Sequence, residues 1–202
     1  GFFDDEILPI DAVQDDGSVL RVDRDLAVRQ DATVGGMKDL KPAFKKDGVI
    51  TPGNASPLNG AASSMMLMSK ETARKKGIKP LATIRSIGFA GVDPTIMGAG
   101  PVPASRMALD RAGLEASDID FWEINEAFCI VALNCIQELG IDPDRVNVMG
   151  GATAIGHALG ATGIRLTGTL GRILQQKGGR YGCANACVGG GQGVAIVMEK
   201  DE

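Results

Sequence analysis

The C-terminal three quarters of the chain alternate short apolar runs with longer segments whose apolar residues recur at helical spacing. Five short runs predict β-strands: residues 81–89, 119–124, 146–148, 180–187 and 193–199. Four longer segments predict helices, each closed by a nearby glycine: residues 58–76, 103–111, 126–139 and 157–176. This alternation predicts an α/β fold in which a mixed five-stranded sheet carries helices on both faces.

Residues 1–57 differ from this pattern because they are rich in turns and poorly periodic. Two short runs, at residues 7–13 and 19–22, flank an Asp-Asp-Gly-Ser turn and predict a hairpin. We therefore divide the chain into an irregular region, 1–57, and a domain, 58–202. The methionines of the first helical segment, Met65, Met66 and Met68, are predicted to fill the core.

Composition narrows the possible functions of the 202 residues. Hydrophobic residues make up 44% and the net charge is −4 with the signs interspersed, which favours neither nucleic acid nor a membrane span. The four cysteines form neither a disulfide framework nor a CxxC metal motif, so we expect reduced thiols in a cytosol-like compartment and no metal. The first ten residues resemble mid-protein sequence, so we expect the chain to be a piece of a longer protein.

His157, the one histidine, follows a glycine-rich run at the predicted junction of a strand and a helix. The positive end of a helix disfavours imidazolium and can stabilise an oxyanion. The alternative is a structural histidine whose ring is satisfied by backbone. Cys187 precedes three glycines between two predicted strands, where bare backbone lets a ligand approach closely. The alternative here is a buried, apolar cysteine before a turn.

Two polar residues mark other junctions. Asn125 lies where a strand meets a helix, so it either caps the helix or holds a water or a carbonyl group, and the adjacent Glu126 could orient a histidine. Ser56 lies at the entry to the first predicted helix, where it or Asn59 either caps that helix or contacts a ligand.

Taken together, these runs resemble the C-terminal half of a thiolase. The order Asn-Glu-Ala-Phe, Gly-Gly-(x)4-Gly-His and Cys-x-Gly-Gly-Gly is highly specific, and the likeness extends upstream to Gly-Phe-Phe-x-x-Glu-Ile and Gly-Asn-Ala-Ser. The resemblance implies one half of a five-layer αβαβα architecture. It also implies that residues 1–57 end a coenzyme A-binding loop domain and that residues 58–202 form the C-terminal thiolase domain.

The resemblance implies an acyltransferase of fatty acid metabolism that condenses acyl-CoAs reversibly or cleaves 3-oxoacyl-CoA. His157 would polarise the thioester carbonyl, Asn125 would hold a water in the same oxyanion hole, and Cys187 would move the α-proton. Gly189 would bind the acyl oxygen through its amide, and Ser56 would contact the pantetheine arm. Coenzyme A or acyl-CoA would be a substrate, with no covalently bound cofactor.

The family's nucleophilic cysteine belongs to its first half, and neither Cys129 nor Cys135 lies in the required motif. We therefore expect the isolated chain to be inactive, and an N-terminal half, in the same gene product or a separate subunit, to complete a homo- or hetero-oligomer. The alternatives are a non-catalytic subunit that binds acyl-CoA or lipid, and a ketoacyl synthase relative, which would use two histidines. Ala158 replaces the family's usual proline. A cytoplasmic location is expected, with mitochondrion and peroxisome left open.

Overall fold

The N-terminal region forms a hairpin and a short helix that lie apart from the main sheet. In a computed structural model, which describes residues 1–201, β1 (Ile10–Val13) pairs antiparallel with β2 (Val19–Val22), as predicted. The short α1 (Val34–Lys38) follows and is capped by the Thr33 hydroxyl, which accepts a hydrogen bond from the Gly36 amide. Most side chains of this region are exposed, so the hairpin contributes little to the core.

The main sheet is mixed and has the strand order β3-β6-β5-β4. Its strands are β3 (Thr83–Gly91), β4 (Phe121–Ile124), β5 (Tyr181–Val188) and β6 (Gln192–Glu199). β6 pairs antiparallel with both β3 and β5, whereas β4 lies parallel to β5. Because β4 and β5 are parallel, their C-terminal ends lie at the same end of the sheet. Asn125 directly follows β4, and Cys187 lies near the C-terminal end of β5.

Helices cover both faces of the sheet, as predicted. The other α-helices of the described residues are α2 (Lys70–Lys75), α3 (Pro101–Ala112), α4 (Cys129–Leu139), α5 (Ala152–Ile155) and α6 (Thr162–Lys177). α3 and α4 pack on the face that buries Trp122, and α6 packs on the opposite face through Leu166, Leu170 and Leu174. Strand alternation places Cys183 and Cys187 on the α3/α4 face.

The predicted fifth strand, at residues 146–148, is wrong. Val146 forms a single parallel bridge with Trp122, and the chain then turns at Asn147, whose φ is +48°. The Asn147 side chain takes the place of a strand along the edge of β4: Oδ1 accepts from the Ile124 amide at 2.8 Å, and Nδ2 donates to the Ile124 carbonyl at 3.0 Å. The backbone groups of β4 are therefore satisfied without a further strand.

The predicted helix at residues 58–76 is also wrong for most of its length. α2 begins at Lys70, because the Ser69 hydroxyl accepts from the Thr72 amide and caps the helix there. Met65, Met66 and Met68 are 40%, 81% and 38% exposed, so they do not fill the core of this chain. A segment with helical spacing of apolar residues forms a stable helix only where those residues pack against another surface. Residues 58–69 are exposed and have little such packing.

Candidate active site

Asn125 follows β4 and lies in the interior. Its amide N–H donates to the Asn185 carbonyl of β5 at 2.9 Å, its side chain is fully buried, and its Nδ2 lies 3.3 Å from Nε2 of His157. The capping interpretation of Asn125 is wrong, because α4 begins only at Cys129. Phe128, which precedes α4, has extended backbone and forms an antiparallel bridge with Ala55.

His157 lies between α5 and α6, not at the start of a long helix as predicted. Gly156 ends α5 with φ +96°, and the Nδ1 atom of His157 lies 2.7 Å from the Thr162 hydroxyl on the first turn of α6. Burial lowers the pKa of His157 below its ordinary value, and the positive charge of Arg165 lowers it further. The imidazole is therefore neutral near pH 7, with burial as the largest cause.

Glu126 organises the glycine-rich loop before His157 rather than the imidazole itself. Its carboxylate accepts from Asn147 Nδ2 at 2.6 Å and from the Thr153 amide at 3.0 Å. A side chain at Gly151 would overlap this carboxylate, since an added Cβ would lie 2.4 Å from its carbon. Both ring nitrogens of His157 face other partners, Thr162 and Asn125, so Glu126 acts at the loop.

The segment around Ser56 runs beside the same loop. The Ser56 amide and hydroxyl both donate to the Ala127 carbonyl, at 3.1 and 3.2 Å, two residues beyond Asn125. The His157 amide donates to the Pro57 carbonyl at 3.3 Å, and a Cβ at Gly156 would lie 2.1 Å from Oδ1 of Asn59. The structure thus brings Ser56, Asn125 and His157 into one region.

Cys187 lies near the end of β5, two residues beyond Asn185, whose carbonyl holds the Asn125 amide. Its side chain is 7% exposed, and burial raises the pKa of the thiol, although a backbone hydrogen bond partly opposes this. Gly189 follows in the turn before β6, and nothing lies within 4 Å of the position that a Cβ would take there. The turn therefore leaves room for a ligand at the strand end.

A buried contact between a carboxyl and a guanidinium group, which the sequence did not indicate, lies beneath the site. Glu123 of β4 is fully buried, and its Oε2 accepts from Nη1 of Arg165 on α6 at 3.3 Å. Burial raises the pKa of Glu123 to about 8, an effect that Arg165 opposes and the charge of Glu126 reinforces. A charged residue inside an otherwise apolar strand was the available signal, but the sequence did not indicate its partner.

Comparison with known proteins decides the family. The family model for the C-terminal domain of thiolase matches residues 78–200, and the model for the N-terminal domain matches residues 1–71. The chain belongs to the thiolase family. It is 48% identical over 200 residues to an acetyl-CoA acetyltransferase of Cupriavidus necator, and 46% identical over 204 residues to a 3-ketoacyl-CoA thiolase of Marinobacter nauticus. Each alignment covers 99% of this chain, and 51% and 52% of the respective relatives.

Solved thiolase structures share the fold. An acetyl-CoA acetyltransferase of Bacillus anthracis superposes with a TM-score of 0.92 and 44% identity, covering 98% of this chain and 50% of that one. Human mitochondrial 3-ketoacyl-CoA thiolase in complex with CoA superposes with a TM-score of 0.87 and 38% identity, covering 100% and 50%. This thiolase chain thus spans about half the length of its relatives. No helix within residues 1–201 is long and apolar enough to cross a membrane.

Proposed function

We propose that this chain supplies the oxyanion-binding and proton-transfer part of an active site that moves acyl groups between CoA thioesters. The observation that carries the proposal is the contact between Asn125 and His157, at the end of β4 and beside the strand that leads to Cys187. Family membership and the acyltransferase names of the relatives support this assignment. The substrates we propose are acyl-CoA and 3-oxoacyl-CoA.

His157 is the proposed oxyanion donor for the thioester carbonyl, and Asn125 is proposed to hold a water in the same oxyanion hole. Their nitrogen atoms converge in a buried region, where a donor stabilises developing negative charge better than it would in water. Oδ1 of Asn125 is also buried and has no hydrogen-bond partner within the described residues, which suits a water held at this position. We assign the Gly189 amide to the acyl oxygen and Ser56 to the pantetheine arm.

Cys187 is the proposed acid and base for the α-proton. Burial raises the pKa of its thiol above the ordinary value of about 8.5, so the thiol is protonated at neutral pH. In cleavage, the carbon–carbon bond breaks, and the departing acyl-CoA enolate takes the thiol proton onto its α-carbon. In condensation, the CoA thiolate released by acylation takes the Cys187 proton. The Cys187 thiolate so formed removes the α-proton of the second acyl-CoA, and the resulting carbanion attacks the acyl group and displaces the nucleophilic cysteine as a thiolate.

The nucleophile that carries the acyl group is proposed to come from a thiolase N-terminal half, on the same or a separate polypeptide. Burial raises the pKa of Cys135 and of Cys183 to about 12, so both stay as thiols, the unreactive form. Cys129 lies at the start of α4 with its Sγ 3.4 Å from the Thr153 hydroxyl, and it lies outside the family's nucleophile motif. We accordingly propose that the isolated chain lacks acyl-transfer activity.

Reconstitution tests this function. The chain is incubated with acetyl-CoA, alone and together with the N-terminal half of the Cupriavidus necator acetyl-CoA acetyltransferase, and acetoacetyl-CoA is measured. We expect product only from the pair, and none when His157→Ala replaces the wild type. Product from the chain alone would contradict the missing nucleophile. A pair that binds CoA without forming product or cleaving 3-oxoacyl-CoA would favour a non-catalytic subunit that binds acyl-CoA or lipid.

The role of Cys187 is separable from that of the oxyanion donors. In the reconstituted pair, Cys187→Ala is expected to leave acylation of the partner's cysteine measurable by mass spectrometry while abolishing condensation. Cys183→Ala, on the same strand and face, is the matched control and is expected to retain condensation. Loss of acylation in Cys187→Ala, with the fold intact, would overturn the assignment.

A further inference from the structure

The imidazole of His157 is held from both sides. Nδ1 lies 2.7 Å from Oγ1 of Thr162, and Nε2 lies 3.3 Å from Nδ2 of Asn125. A neutral imidazole carries one N–H, so one ring nitrogen donates a hydrogen bond and the other accepts one. The neighbours of the ring determine which nitrogen carries the proton.

The Thr162 hydroxyl has one proton, and that proton is already engaged. Oγ1 donates to the Ala158 carbonyl at 2.8 Å, and a carbonyl oxygen can only accept. The hydroxyl therefore presents a lone pair to Nδ1 of His157, and Nδ1 must carry the ring proton. The opposite side of the ring agrees, because the amide nitrogen of Asn125 is a donor and meets a lone pair on Nε2.

We infer that Thr162 is a positioning residue that fixes His157 in the Nδ1–H tautomer, with the Nε2 lone pair directed toward Asn125. These hydrogen bonds form a relay from Nδ1 of His157 through the Thr162 hydroxyl to the carbonyl of residue 158. That carbonyl is present whether alanine or proline occupies position 158. The replacement at Ala158 therefore leaves the relay complete. The side chain of Thr162 is 7% exposed, so water competes little for the contact.

The catalytic consequence rests on the proposed function. In the Nδ1–H tautomer, Nε2 is a base, so it can take the proton of the nucleophilic thiol as the S–H bond breaks and an Nε2–H bond forms. The thiolate attacks the thioester carbon, and the new Nε2–H donates to the carbonyl oxygen. The carbon–sulfur bond to CoA then breaks, and the leaving CoA thiolate takes its proton from the Cys187 thiol. Thr162 determines which ring nitrogen receives this proton, without touching the substrate.

Nitrogen NMR of the 202-residue chain tests the tautomer directly, because the sequence contains one histidine and hence one imidazole. A long-range 1H–15N correlation spectrum is recorded near pH 8, above the ordinary histidine pKa of about 6.5, where the ring is neutral. We expect a protonated Nδ1 and an unprotonated Nε2. Thr162→Val is expected to shift the ring toward the Nε2–H form, and Thr162→Ser to restore the Nδ1–H form.

Thr167→Val is the matched control. Its hydroxyl also donates back to a carbonyl four residues earlier on α6, that of Gly163 at 3.0 Å, but the contact is exposed and does not involve the imidazole. We expect this variant to keep the Nδ1–H signature. An Nε2–H ring in the wild type, or an unchanged ring in Thr162→Val, would overturn the inference. If Thr162→Val does not fold, the wild type and Thr162→Ser decide the question.

The NMR experiment needs neither substrate nor an N-terminal half. A failed reconstitution would therefore overturn the acyl-transfer proposal and leave the tautomer result standing. Conversely, an active pair whose histidine is an Nε2–H tautomer would overturn the role of Thr162 alone.

Discussion

Asn125 and His157 are 32 residues apart in the chain, yet their side-chain nitrogens lie 3.3 Å apart. The contact joins the end of β4 to the loop between α5 and α6. Because Nδ2 of Asn125 donates to Nε2 of His157, it stabilises the neutral ring and disfavours imidazolium. Asn125 thereby reinforces the lowering of the His157 pKa that burial and Arg165 produce.

We predict that Asn125→Ala raises the pKa of His157, because the variant removes a donor to Nε2 and opens the site to water. The measurement is the NMR chemical shift of the imidazole ring as a function of pH. Its assignment is unambiguous because the sequence contains one histidine. Asn134→Ala, on α4, is the control and should leave the titration unchanged. A pKa that is unchanged or lower in Asn125→Ala would show that the contact does not favour the neutral ring.

We predict that Glu123 makes the chain less stable as the pH rises. Burial raises the pKa of the folded carboxyl from 4.5 to about 8, so between these values the folded chain holds a proton that the unfolded chain has released. The free energy of unfolding then falls with pH across this window, by at most about 1.4 kcal/mol per pH unit. Glu123→Gln should remove this component.

The measurement is urea unfolding of wild type and Glu123→Gln at several pH values in that window. The lowered pKa of His157 acts in the opposite direction near its own titration, but it is common to both proteins and cancels in their difference. Glu138→Gln, a half-exposed carboxyl paired with Arg106, is the surface control. Parallel stability curves for wild type and Glu123→Gln would refute the prediction.

Asn147 supplies both an unusual backbone conformation and three side-chain hydrogen bonds. We predict that Asn147→Ala destabilises the chain by about 3 kcal/mol. The variant leaves the amide and carbonyl of Ile124 without the partners that the Asn147 side chain provides, and it places alanine at a left-handed φ. Asn147→Gly relieves the backbone strain but also loses the side chain, so it should cost about 1 kcal/mol less. Denaturant unfolding gives both values. Equal losses would mean that the left-handed conformation carries no cost.

The sequence predicted the elements whose evidence is local. β5 and β6 are short runs rich in apolar residues beside glycine-rich segments, and α4 ends before Gly140, where the backbone becomes left-handed. It failed at residues 58–69, because helical spacing does not show whether a packing surface exists. It failed again at residues 146–148, where apolar residues suggested a strand but the Asn147 side chain satisfies the edge of β4.

The candidate site shows the same division. Motifs indicated Asn125, His157 and Cys187, but not the side chains that set their environment. Thr162 contacts His157 only because the chain turns between α5 and α6, and Arg165 meets Glu123 across 42 residues of sequence. Such pairings depend on the packing of α6 against β4, which no local pattern encodes.

Gly156 fixes the position of His157 relative to the Asn59 segment, and its replacement is predicted to disturb both. In Gly156→Ala the new Cβ would lie 2.1 Å from Oδ1 of Asn59, at a φ of +96° that side chains rarely adopt. Gly178→Ala is the matched control, since its φ is +85° but nothing lies within 4 Å of an added Cβ. We expect Gly178→Ala to cost about 1–2 kcal/mol and Gly156→Ala at least about 1 kcal/mol more. Denaturant unfolding measures both costs, and the ring resonances of His157 should move in Gly156→Ala alone. Equal losses of unfolding free energy in the two variants, with unchanged His157 resonances, would show that the Asn59 side chain moves aside at little cost and does not position the histidine.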